Sequence, residues 1–106
     1  MDFQALIRRE VSFDWDEWNI RKNWEKHRVS PAECEDVFFN GPIVEADSQH
    51  SQQELRYVSY GSTDQRRLLF IVFMIRREKI RVISARDVHR KEREVYHAKI
   101  KDNPTV

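Results

Sequence analysis

Apolar positions along this chain change their period twice, and those changes divide it into elements. Trp15, Ile20, Trp24 and His27 recur at roughly helical spacing, and Asp14 or Asp16 is placed to cap the segment they occupy. The spacing predicts a first helix running to about His27. Ser30-Pro31-Ala32-Glu33 then supplies a Ser N-cap, Pro at the first helical position and Glu at the third, the makings of a capping box. A short second helix follows, with Cys34, Val37 and Phe38 on one face and Asn40-Gly41-Pro42 as its left-handed residue and stop.

From Ile43 onward the period is that of strands, over residues 43–46, 55–60, 67–75 and 79–86, separated by polar or turn-forming stretches. Short connections favour an antiparallel meander. The run from Leu68 to Ile75 is apolar at every position, which predicts a central strand covered on both sides, whereas Arg81 to Arg86 mix polar and apolar residues. Asp87 can cap a final helix over residues 88–101, where Val88, Val95 and Ile100 make a thin apolar stripe among Arg90, Lys91, Arg93, His97 and Lys99. The predicted fold class is therefore α+β: a small antiparallel four-stranded sheet with two N-terminal helices and one C-terminal helix against one face. The chain reads as one domain over residues 1–106, with residues 1–11 as an N-terminal extension that could add a helical turn.

Composition agrees with a folded domain: 40% of the 106 residues are hydrophobic and 11% aromatic, too apolar for a disordered chain. Charged residues interrupt the N-terminal ten positions, so no export signal is expected, and the longest apolar run falls far short of the ~20 residues that span a membrane. The single cysteine, Cys34, fits a reducing compartment and a cytoplasmic location. The net charge of +1 hides an asymmetry. Residues 1–65 hold 7 Lys/Arg against 13 Asp/Glu, a net −6, and residues 66–106 hold 12 against 5, a net +7. A basic surface for a polyanion is one reading; the other is that folding interleaves the halves into an ordinary solvated surface.

The candidate chemistry follows from residue types. A ribonuclease that works without a metal needs a base for the ribose 2′-hydroxyl, cations for the phosphate and an acid for the leaving oxygen; the RNA supplies its own nucleophile. His, Lys, Arg, Glu and Tyr can build such a site. Glu92 and Tyr96 are four apart and share a helix face, while Arg86 ends the strand beside that helix's start. The same residues also admit a structural account, in which Arg86 pairs with Glu92 or Asp87 and Tyr96 is core. Lys26 and His27 stand at a helix C-terminus, where cations answer the dipole whatever else they do. His89 and His97 are roughly 12 Å apart along a helix and cannot chelate one ion together, His50 lies in a polar loop, and Cys34 reads as a buried thiol. No Gly-rich phosphate loop or zinc-type spacing occurs, so neither a cofactor nor a metal is expected.

These residues in this order resemble the BrnT-type ribonuclease toxins of type II toxin–antitoxin systems. The likeness runs over about residues 12–97: Phe13-Asp14-Trp15-Asp16, Asn23-Trp24-Glu25-Lys26-His27, then Ala32, Glu35, Val37 and Phe38, and later Ile83-Ser84-Ala85-Arg86 with Glu92, Arg93 and Tyr96. The resemblance implies a RelE-like fold and a toxin that cleaves RNA without a metal and halts translation. It implies a BrnA-like antitoxin with a ribbon-helix-helix part, the complex reaching DNA through that antitoxin. Carried over residue by residue, it makes Lys26, His27, Glu92, Tyr96 and Arg86 catalytic candidates and Arg56 and Arg81 phosphate-binding candidates. Two positions depart from the pattern: Arg28 stands where Gly is usual, and Asn19 where Lys is common. A non-catalytic RNA-binding or antitoxin-binding module is the alternative.

Overall fold

The computed structural model describes residues 11–47 and 54–102, so the helical turn considered for the first ten residues, and His50, lie outside the described residues. The elements are β1 (Ser12–Phe13), α1 (Glu17–His27), α2 (Pro31–Phe39), β2 (Ile43–Ala46), β3 (Arg56–Ser62), β4 (Leu68–Arg76), β5 (Lys79–Asp87) and α3 (Arg90–Asp102). The sheet has five strands in the order β1-β5-β4-β3-β2. Four of them form the antiparallel meander read from the sequence, but β1 pairs in parallel with β5, Ser12 opposite Lys79 and Phe13 opposite Ile80. The four-stranded antiparallel sheet is thus corrected to a five-stranded mixed one. A two-residue strand is too short to show a period, which is why the pattern did not reveal it.

Sheet register sorts the side chains onto two faces. One face carries Tyr57 and Ser59 of β3, Leu69, Ile71 and Phe73 of β4, and Ile80, Val82 and Ala85 of β5. It is closed by α2, whose Cys34, Val37 and Phe38 are buried, with Phe38 edge-on to Phe73 at 4.9 Å. The capping box predicted for α2 is present in full: Ser30 Oγ accepts from Glu33 N at 3.2 Å and Glu33 Oε1 accepts from Ser30 N at 3.1 Å. Gly41 takes the left-handed conformation after the helix, φ 68°.

Burial along β5 jumps from Val82 to Ala85, a spacing of three where a regular strand requires two. The cause is a β-bulge: Phe73 faces Val82 and Val72 faces Ser84, leaving Ile83 as the extra residue. This bulge also explains the mixed polar and apolar character of the segment.

Beyond the short β1, the outer edge of β5 is covered by α1. Lys22 Nζ donates to the bulge carbonyl of Ile83 at 2.8 Å, and Asn23 Oδ1 accepts from Ala85 N at 3.2 Å. An open strand edge is thereby satisfied by side chains. It follows that α1 buries only Asn23 within its span, while Trp24, predicted on its inner stripe, is 47% exposed. Asp16, rather than Asp14, caps it, accepting from Trp18 N and Asn19 N. Its end meets the problem that the missing Gly poses: Arg28 sits in the left-handed region at φ 54°, with Cζ over the Trp24 ring at 5.4 Å.

The second face of the sheet carries Arg56, Val58 and Tyr60 of β3, Leu68, Phe70, Val72 and Met74 of β4, and Arg81, Ser84 and Arg86 of β5. α3 reaches this face rather than joining the other two helices: Glu92 pairs with Arg86, and Lys99 pairs with Glu45, which lies opposite Val58. Helices on one face only, as predicted, is corrected accordingly. Asp87 belongs to β5 and does not cap α3; the helix start is instead tied by Glu92, which accepts from His89 N at 2.8 Å. No helix among the described residues is long and apolar enough to cross a membrane.

Candidate functional site

Where β5 ends and α3 begins, Arg86 is held from three directions. Its Nη1 and Nη2 donate to the two oxygens of Glu92 at 2.8 and 3.0 Å, Nη1 also reaches the Asp87 carbonyl at 3.1 Å, and Cζ lies 4.3 Å from the centre of the Phe70 ring. Tyr60 meets the other side of that cross-strand row, edge-on to Phe70 at 5.1 Å. The guanidinium still has Nε–H and one Nη2–H to offer. Arg86 hydrogen bonding holds the Glu92 carboxyl below its ordinary range, with the His89 amide adding to the effect. Glu92 is therefore an ionised, fully engaged carboxylate, suited to fixing Arg86 rather than to carrying a proton.

Beside this pair, α3 and the β3–β4 connection border an open cleft of about 500 Å³ lined by Arg66, Arg67, Asp87, Arg93, Tyr96 and His97, with Ser62, Leu68 and Ile100. Arg93 and His97 are one helical turn apart, so both project toward the same side, and the His97 and Tyr96 rings meet edge-on at 5.6 Å. Burial pushes the Tyr96 hydroxyl pKa up. The one lining carboxylate, Asp87, is neutralised: Arg67 Nε and Nη2 donate to it at 2.7 and 3.1 Å and hold it below its ordinary pKa, with further help from His27 and Arg93. No hydrogen bond or ion pair occupies the guanidinium of Arg66 or Arg93 among the described residues. The electrostatic character of the cleft is that of an anion site.

Arg67 is the structural hub beneath it. Besides Asp87 it donates to Glu33 at 2.9 Å and to the carbonyls of Arg28 and His27 at 2.7 and 2.9 Å. One side chain thus joins the orphan carbonyls at the end of α1, the first turn of α2 and the end of β5.

The sequence-predicted residues are distributed unevenly around this site. Arg86 and Glu92 come together, Tyr96 lies one helical turn beyond Glu92 and lines the cleft, and His27 stands near enough to Asp87 to act on its charge. Lys26 lines a separate depression with Trp18, Arg21, Lys22 and Glu25. Arg81 is committed to Asp14 at 3.2 Å and Asp16 at 2.8 Å, and Arg56 shares a rung with it across Met74, at the far end of the sheet from Arg86. Arg66, Arg67, Arg93 and His97 were not among the site residues the sequence pointed to, though they line the cleft. The spacing of Arg93, Tyr96 and His97 could have shown a shared helix face; that Arg66 joins them depends on folding. Among the described residues no group of three or more His, Cys, Asp or Glu is arranged to hold a metal ion.

The fold is a mixed sheet flanked by helices, with a cleft at one end whose lining carries more basic than acidic side chains. The model of the family described as "Ribonuclease toxin, BrnT, of type II toxin-antitoxin system" matches residues 15–92, and the chain belongs to that family. Among solved structures it is similar to the crystal structure of the Brucella abortus ribonuclease toxin, BrnT, with 19% identity and a TM-score of 0.58, covering 76% of this chain and 99% of that one. No curated protein matches the chain.

Proposed function

We propose that this ribonuclease toxin cuts RNA at the cleft between α3 and the β3–β4 connection, using side chains alone. The observation that carries the reading is the clustering of Arg66, Arg93, Tyr96 and His97 around a carboxylate already neutralised by Arg67. A phosphate in the cleft would meet two guanidinium groups that no ion pair occupies, and Arg86 would add its remaining N–H donors from the adjoining strand end. Imidazole is the side chain best suited to proton transfer near neutral pH, so His97, with His27 near enough to act on the Asp87 charge, is the candidate for moving the 2′-hydroxyl proton and protonating the 5′-oxygen. Attack of the 2′-oxygen on phosphorus would leave a 2′,3′-cyclic phosphate and a free 5′-hydroxyl. Tyr96 orients the phosphate or a base. Glu92 acts through Arg86, as a positioning residue, and Arg81 is replaced as a phosphate ligand by Arg66 and Arg93.

Cutting messenger or ribosome-bound RNA would inhibit translation. Membership of a type II system implies an antitoxin. We take it to be BrnA-like, with a ribbon-helix-helix part through which the complex contacts DNA, and to silence the toxin by covering the cleft.

The test is to incubate the purified chain with a defined RNA in EDTA, beside Arg93→Ala, His97→Ala and Glu92→Gln variants shown to be folded. Cyclic phosphate ends should appear with the wild type, fall by about 10²-fold or more in His97→Ala, and fall less in Glu92→Gln. Undiminished cleavage by both Arg93→Ala and His97→Ala would remove the site from this cleft. RNA that binds in a salt-sensitive manner yet stays intact would instead favour a non-catalytic binding module, a reading to which the engagement of Glu92 by Arg86 lends some support.

A further inference from the structure

Trp18 is 71% exposed, a large apolar side chain left in water on a helix whose partner surface is satisfied elsewhere. Trp18, Lys22 and Lys26 follow one another at intervals of four and so share a stripe of α1, with Arg21 and Glu25 flanking it. These five residues border a depression of about 180 Å³. Three cations face one carboxylate there, and the amino groups of Lys22 and Lys26 are near enough for burial and mutual repulsion to lower the Lys22 pKa. Lys22 is pinned to the Ile83 carbonyl at 2.8 Å, which prevents it from swinging away. Like charges at this spacing disfavour the helix, and a bound polyanion would remove that cost.

The stripe has a direction. Lys22 contacts Ile83 and Asn23 contacts Ala85, so α1 advances along β5 toward Asp87, the residue at the border of the cleft. From Trp18 to Lys26 the helix rises roughly 12 Å, away from the cleft at one end and approaching it at the other. We infer that Trp18, Arg21, Lys22 and Lys26 form a second RNA-contact track, which takes the single-stranded segment flanking the cut phosphate and stacks one of its bases on the Trp18 indole. Aromatic stacking beside backbone-tracking cations is how proteins hold single strands without reading their sequence. This assigns Lys26 to substrate binding, not to proton transfer, and it rests on the cleft being the cleavage site.

The test uses a long, uncleavable 2′-O-methyl single strand and a dinucleotide of the same chemistry, with affinity followed by fluorescence anisotropy over a salt series. Trp18→Ala should weaken the long strand by about 5- to 100-fold and Trp18→Phe by less, while the dinucleotide is unaffected. Arg21→Ala and Lys26→Ala should each reduce the salt slope by about 0.7. Arg93→Ala serves as the reference and should weaken both ligands. If Arg93→Ala weakens binding while the α1 variants bind both ligands like the wild type, the track is wrong and the cleft stands. If the wild type binds neither ligand, both fall. If the α1 variants lose the antitoxin while keeping RNA, the stripe is a protein interface and the inference is overturned.

Discussion

Arg28 shows how much a single residue can reveal about the local balance of energies. A non-Gly residue in the left-handed region costs about 1–2 kcal/mol, against which the contact with Trp24 returns roughly 0.5 kcal/mol at an exposed site. The Arg28 carbonyl is used by Arg67 and would remain in a Gly variant. Arg28→Gly should therefore stabilise the fold by about 0.5–1 kcal/mol, read as a higher urea midpoint at unchanged slope. An unchanged or lower midpoint would mean that the side chain contributes more than its contact with the indole. The sequence made this position legible, because the end of a helix without Gly must be capped or strained. Arg67, by contrast, looked like an ordinary strand residue, since none of the partners of its guanidinium lies within 19 positions of it along the chain.

At the scale of elements, α2 was the most legible because its signals are local: cap, Pro, apolar face and stop all fall within residues 30–42. Its seat on the sheet depends on Gly61, where an added Cβ would come within 2.7 Å of Val37 Cγ1 and 3.1 Å of Pro42 Cβ. Gly61→Ala should cost about 1–3 kcal/mol by forcing α2 away from β3, measurable as a fall in thermal midpoint. Pairing Gly61→Ala with Val37→Ala should recover part of that loss if the clash is the cause. The misjudged elements have an equally physical explanation. Trp24 falls on a helical stripe, yet α1 lies along a strand edge and presents hydrogen-bonding groups to it, so its apolar side chains have little to cover. Asp87 has the composition of a cap, but Arg67 competes for it and wins with two charge-assisted bonds.

For the whole molecule, three carboxylates join separate parts of the chain: Glu33 and Asp87 through Arg67, and Glu92 through Arg86. Arg67 lowers the Asp87 pKa and Arg86 lowers that of Glu92; burial alone would raise Glu33, but the Ser30 amide and Arg67 bring it below its ordinary value. Groups with depressed folded pKa values contribute stability that is complete above about pH 4–4.5, where the unfolded carboxylates are ionised. That stability declines as pH falls through the lower folded values. Unfolding free energy should thus be flat near neutrality and drop below about pH 4, and Glu92→Gln should make the drop shallower. An acid limb identical in the variant would show that the Arg86 pair does not hold α3 in place.

By itself, the sequence determined the local and periodic features: the capped α2, the four long strands, the amphipathic and basic α3, the sign reversal between halves, and the ordered residues that identify the family. Each depends on neighbours a few positions apart, which a linear pattern records. Only the tertiary structure decided that β1 pairs in parallel with β5, that α3 crosses to the opposite face, that Arg81 is occupied by Asp14 and Asp16, and that Arg66, Arg93, Tyr96 and His97 surround one cleft. Those outcomes depend on which distant groups compete for one partner, and that competition is resolved only when folding brings them within hydrogen-bonding distance.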